Sequence, residues 1–184
     1  MGFLNKIKTT VGNSVLRSKV KSNSRERAVF NFETARTAGV VLYTKDTEYF
    51  SAAQKFVKYL KDHKIETWSL GYADSAEVIN AYAYQIGMNH FTNKNLNWYN
   101  KPISSSADQF ITKEFDLLID LCTENFYPIQ YIVGMSKAKF KIGGFVSDNS
   151  NYDMMINIEK NKNIDYLIEQ VKHYISIIKQ KDYV

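Results

Sequence analysis

Two strand-to-helix turns carry the residue types best suited to hold a ligand. One reads Tyr43-Thr44-Lys45-Asp46-Thr47; the other reads Asp120-Leu121-Cys122-Thr123-Glu124-Asn125. Ligands of open α/β sheets bind beyond the carboxyl ends of the strands. Thr44, Lys45, Asp46, Asp120 and Thr123 are therefore the residues expected to face a nucleotide or sugar phosphate. Lys45 and Thr47 suit a single phosphate at a helix N-terminus, and Asp120 with Glu124 suits acid–base work or magnesium. Neither turn has the glycines that a dinucleotide loop or P-loop needs for close backbone approach. The structural alternative is a capped turn in each case, with Asp46 or Thr47 as the cap.

Other reactive groups are sparse. Cys122 is the one cysteine, so no disulfide framework forms within the chain and no multi-cysteine metal site exists. His63, His90 and His173 are far apart in sequence and give no zinc spacing. Ser104, Ser105 and Ser106 lack the flanking glycines of a nucleophile elbow and read as a loop. No catalytic residue, metal ligand or cofactor is assigned from the sequence, and a non-catalytic binding protein is the leading expectation.

The charge has a pattern. The formal net charge of +5 is concentrated in residues 1–37, where eight basic residues face two acidic ones for a net +6, while the other 147 residues sum to −1. All four arginines lie in that arm. Arginine pairs bidentately with phosphate, so Arg17, Lys19, Lys21, Arg25 and Arg27 point to a polyanion. RNA or a ribonucleoprotein is the preferred partner, and an anionic membrane surface is the other. Lys137, Lys139 and Lys141 recur at a period of two. On a strand they share a face or edge, either extending the phosphate contacts or guarding an edge against unwanted pairing. A solvated tail that aids solubility is the bland alternative.

These residues need elements to hold them. Apolar positions Phe3, Leu4, Ile7, Val11, Val15, Leu16 and Val20 have helical spacing. That predicts a helix over 2–20, either lying on a membrane with its lysines outward or packed on the body or on a partner, and Gly2 and Gly12 weaken it. Strands are predicted at 39–44, 65–70, 115–121, 139–145 and 152–158. Helices are predicted at 48–63, 75–86, 126–136 and 163–180. Residues 88–106, rich in asparagine, read as one or two strands with long polar turns. Alternation of strands and helices predicts βαβ units. The expected fold is a single Rossmann-like three-layer α/β domain at 38–184 with a mostly parallel sheet, preceded by a basic, partly helical arm at 1–37. No apolar run approaches the ~20 residues that span a bilayer, and no secretory signal is visible; the expected compartment is the cytoplasm.

Two resemblances follow from particular motifs. Phe115–Phe145, with its F-D-L-L-I-D-L strand and its I-G strand, resembles the acceptor-side half of heptosyltransferase-type GT-B glycosyltransferases, which implies a Rossmann-like unit there. More broadly, the chain resembles a family of short bacterial α/β proteins of unknown function. The motifs are N-F-E-x-A at Asn31–Ala35, L-N-W-Y at Leu96–Tyr99, F-D-L-L-I-D-L at 115–121, S-K-A-K-F-K-I-G at Ser136–Gly143 and Y-D-M-M-I at Tyr152–Ile156. This likeness covers nearly the full chain and implies the fold without a mechanism.

Overall fold

The computed structural model describes residues 3–74, 88–145 and 151–178. The helix α1 (Phe3–Ser22) is followed by β1 (Thr37–Tyr43), α2 (Thr47–Asp62), β2 (Glu66–Ala73) and β3 (Asn89–Thr92). Then come α3 (Ser105–Thr112), β4 (Leu117–Asp120), α4 (Tyr127–Met135), β5 (Phe140–Phe145), β6 (Met154–Asn157) and α5 (Ile164–Ile177). The six strands form one sheet in the order β3-β2-β1-β4-β5-β6. Every pairing is parallel. The chain reverses direction across the sheet between β1 and β4, where Val41 lies opposite Asp120.

The layers follow from period-two alternation in the buried strands. Val40, Leu42, Leu117 and Ile119 point to the side covered by α2 and α5, whose Phe56, Leu60, Leu167 and Val171 complete that core. Val41, Leu118 and Phe91 point to the side covered by α3 and α4, against Phe110, Ile129 and Ile132. A third cluster joins α1 to α4 through Leu16, Tyr127 and Tyr131, with Val20 and Tyr99 at its margin. Gly12 makes that contact possible: a Cβ there would stand 2.7 Å from the Tyr127 ring. The glycine that argued against a helix is thus the one that lets the helix dock.

Two expectations change, while 88–106, expected as one or two strands with polar turns, does hold one strand. Ser104–Ser106 do not form a loop: Ser104 caps α3, its Oγ accepting the Ala107 N–H at 3.2 Å. Serine is a strong N-cap, and the three-serine run hid the apolar spacing of Ala107 and Phe110 behind it. The stretch after residue 88 holds the four-residue β3, a 3-10 turn at Asn93–Asn95 and an isolated Leu96–Pro102 bridge. Finally, β5 runs between β4 and β6 and holds only Lys141 of the three lysines, so that lysine guards no sheet edge, and Lys137 and Lys139 precede the strand. The predicted helix at 75–86 lies outside the described residues.

Candidate polyanion interface

Among the described residues, the strand mouths do not gather their predicted residues around an open site. Asp46 caps α2, its Oδ1 accepting the Tyr49 N–H at 2.8 Å, so a carboxylate already holds the position a phosphate would take. Lys45 Nζ pairs with Glu124 at 3.2 Å and sits over the rings of Tyr43 and Tyr49. The Tyr49 hydroxyl donates to the Leu121 carbonyl. Thr123 is buried. Tyr43 stacks on Phe126, centroids 4.6 Å apart, and closes the space between β1 and the loop after β4.

Asp120 points inward. Its Oδ2 accepts the Tyr152 hydroxyl at 2.6 Å, its Oδ1 accepts the Cys122 N–H at 2.8 Å, and Gln130 Nε2 donates to Tyr152 at 2.9 Å. Gly143 permits this network, because a Cβ there would meet the Tyr152 ring at 2.7 Å and Asp120 Cβ at 3.1 Å. Burial raises the Asp120 carboxyl to about 6, against the pull of the Tyr152 hydrogen bond. Burial also pushes the Cys122 thiol up, which suits a packed side chain better than a nucleophile. Two polar atoms at the mouths differ: Thr44 Oγ1 and His90 Nε2 are buried without a hydrogen-bond partner among the described residues. Both flank Gly71.

The cations of the arm divide into two groups. Arg17, Lys19 and Lys21 stand exposed on α1. Thr10, Asn13, Ser14, Arg17, Ser18 and Lys21 line a shallow depression of about 500 Å3 along its outer side. No acidic residue occurs in α1. The segment after the helix is instead sewn to the body. Arg25 Nη2 binds both carboxylate oxygens of Asp153 at 2.7 Å, and Nη1 donates to the carbonyls of Ala138 and Lys139 at 3.1 and 2.8 Å. The Arg25 side chain is only 6% exposed, whereas Arg27, 3.9 Å from Asp153, is 69% exposed. Asn23 Nδ2 donates to the carbonyls of Gly134 and Met135 at the end of α4.

The three lysines of the period-two run have different surroundings. Lys137 Nζ donates to the Ser24 carbonyl at 2.7 Å, and Lys139 pairs with Glu26 at 3.7 Å. Lys141 is buried, its Nζ donating to the carbonyls of Val133 at 2.6 Å and Gly134 at 3.4 Å. It is a cation placed at a helix C-terminus, where the dipole favours it, and not part of an exposed basic face. Burial, then repulsion from Arg25, lowers its amine to about 7. The sequence reading missed Asp153, which organises this corner; it lies 128 residues from Arg25, and no local spacing links the two.

A family model spans residues 8–178. The chain belongs to DUF6913, a family of unknown function. This agrees with the family resemblance read from the motifs between Asn31 and Ile156. The DUF6913 match begins inside α1 and runs through α5, so the docked helix and the α/β body fall in one family unit. No curated protein and no solved structure matches the chain. The glycosyltransferase likeness rests on the β4–α4–β5 unit alone. Among the described residues, no helix is long and apolar enough to cross a membrane, and no group of three or more His, Cys, Asp or Glu side chains is placed to hold a metal ion.

Proposed function

We propose that this DUF6913 protein is a non-catalytic binding protein that docks on a polyanion, preferably RNA or a ribonucleoprotein, through the outer side of α1. The observation that carries this reading is the orientation of α1. Leu16 and Val20 pack against Tyr127, Tyr131 and Met135, so the C-terminal part of the apolar stripe that would sink into lipid is covered by protein, while Ile7 nearer its start is 40% exposed. Arg17, Lys19 and Lys21 remain exposed on a helix without acids. Trp98 is 62% exposed. It meets Tyr99 edge-on at 5.2 Å, and Tyr99 lies at the margin of the cluster that holds Leu16 of α1. An exposed ring on a basic protein suits base stacking along a single strand.

Anisotropy of a labelled single-stranded RNA tests this. Three phosphate contacts predict an affinity loss of about 20-fold between roughly 50 and 200 mM salt. The triple variant Arg17→Gln, Lys19→Gln, Lys21→Gln is expected to lose most of the binding and flatten the salt slope, with unchanged circular dichroism. Salt-independent binding, or equal binding by the variant, contradicts the reading.

One observation favours a second reading, a nucleotide or sugar-phosphate site at the strand mouths. Thr44 Oγ1 and His90 Nε2 are the kind of unsatisfied buried atoms that a ligand completes. A ligand bound at 100 times its dissociation constant stabilises the native state by about 2.7 kcal/mol. A thermal-shift screen with millimolar nucleotides and sugar phosphates is then expected to show a rise that Thr44→Val abolishes. A flat screen removes this reading.

A further inference from the structure

A polar cavity of about 270 Å3 lies where the end of α1, the segment after it, the end of α4 and β5 meet. Lys21, Arg25, Arg27 and Lys141 line it together with Asn23 and Asn151. One carboxylate among the described residues, Asp153, pairs with this group, and it is engaged bidentately by Arg25. Lys21 and Lys141 make no ion pair among the described residues. Like charges held together away from water repel strongly, and the described residues leave the pocket with more basic groups than carboxylates.

We infer that this cavity is a phosphate site, taking one phosphate group of the polyanion. For the source of that phosphate the inference rests on the function proposed above. The volume accommodates a phosphate with several waters, each of which occupies about 30 Å3. Arg25, its side chain 6% exposed, provides fixed charge at the wall, and buried Lys141 provides an amine whose protonation a bound anion favours. Lys141 uses two of its three donors on the Val133 and Gly134 carbonyls, leaving one. Exposed Lys21 and Arg27 stand at the rim, and Arg27 offers a planar fork for two phosphate oxygens. The groups that set the field at Lys141 are Arg25, Arg27 and Lys137 against Asp153. A bound anion relieves that repulsion.

The test is a titration of the full chain with inorganic phosphate at constant ionic strength, with chloride as the control, followed by amide NMR shifts. Saturable shifts are expected at Lys21–Arg27, Gly134 and Lys141. Binding at least tenfold weaker is expected in the rim variant Lys21→Gln, Arg27→Gln, which leaves the buried residues intact. Shifts that do not saturate, that scatter along α1, or that survive the rim variant overturn the inference. RNA and anionic phosphatidylglycerol vesicles are run in parallel. RNA binding on α1 without saturable phosphate shifts overturns the cavity site and leaves the proposed function standing. Phosphate binding in the cavity without RNA binding supports the site and removes the RNA reading; vesicle binding then assigns the phosphate to a lipid headgroup.

Discussion

Replacing Asp153 with alanine is expected to lower the free energy of unfolding by about 3–5 kcal/mol, the cost of removing one partner from a buried ion pair. The Arg25 side chain is 6% exposed and that of Asp153 13%, so water cannot readily solvate the arginine left behind. The carboxylate also accepts the Lys141 backbone N–H at 2.8 Å, and that donor is orphaned too. Arg25 would keep only the carbonyls of Ala138 and Lys139. Urea unfolding measures the loss. Arg25→Met combined with Asp153→Ala is expected to cost less than the sum of the single changes, because the pair shares one interaction. Glu26→Ala supplies the contrast. Its partner Lys139 is 3.7 Å away and Glu26 is 72% exposed, so a change within about 1 kcal/mol is expected. An equally small effect at Asp153 would mean that water screens the Arg25 pair.

Stability is also expected to rise between pH 7 and pH 9. The Lys141 amine is held at about 7 in the folded protein against an ordinary value of 10.5, by burial first and then by Arg25, with Arg27 and Lys137 adding to it and Asp153 opposing. Between those values the unfolded chain binds a proton that the folded chain lacks, so raising the pH favours the folded state. One pKa unit corresponds to about 1.4 kcal/mol, which puts the gain over this window at about 2 kcal/mol. Burial pushes the Cys122 thiol well above its ordinary value of 9.0, so its opposing contribution begins only at the top of the window, and the remaining shifted groups act outside it. Asp120, raised to about 6 by burial, adds stability below the ordinary carboxylate range and loses it as the pH climbs through 6. Burial lowers His90, so its contribution is complete by about pH 6.5. The buried tyrosines, Tyr49 and Tyr152 among them, are raised and weaken the fold only in strong alkali. Urea unfolding from pH 6 to pH 9 checks the rise, and Lys141→Met is expected to flatten it. A flat wild-type profile contradicts a buried, crowded amine.

Local patterns carried most of the secondary structure. Val40-Val41-Leu42 and Leu117-Leu118-Ile119 are apolar on both faces, which marks strands covered by helices on two sides, and both lie in strands of the parallel sheet. The spacing of Phe50, Ala53, Phe56, Val57 and Leu60 marked α2, and these residues are buried. Asp46 was legible as one of two caps because capping depends on a residue and its next three neighbours. Helix α3 was not legible, since eight residues give barely two turns of periodicity.

The candidate site was legible only as a composition. The excess of arginine and lysine before residue 38 is a property of the chain and needs no coordinates. Which of those cations face water depends on partners more than a hundred residues away. Gly134 and Met135 receive Asn23, and Asp153 takes Arg25. The period of two in Lys137, Lys139 and Lys141 fixed their alternation but not their surroundings. Packing of β5 between β4 and β6, under the end of α4, put Lys141 inside. The sequence by itself determined most of the strand and helix segments and the sign of the arm, because these follow from short-range spacing and from counting. Tertiary structure alone decided the strand order, the docking of α1 by Gly12 against Tyr127, and the division of the cations into buried and exposed, because desolvation and ion pairing act through space and leave no mark at any fixed separation along the chain.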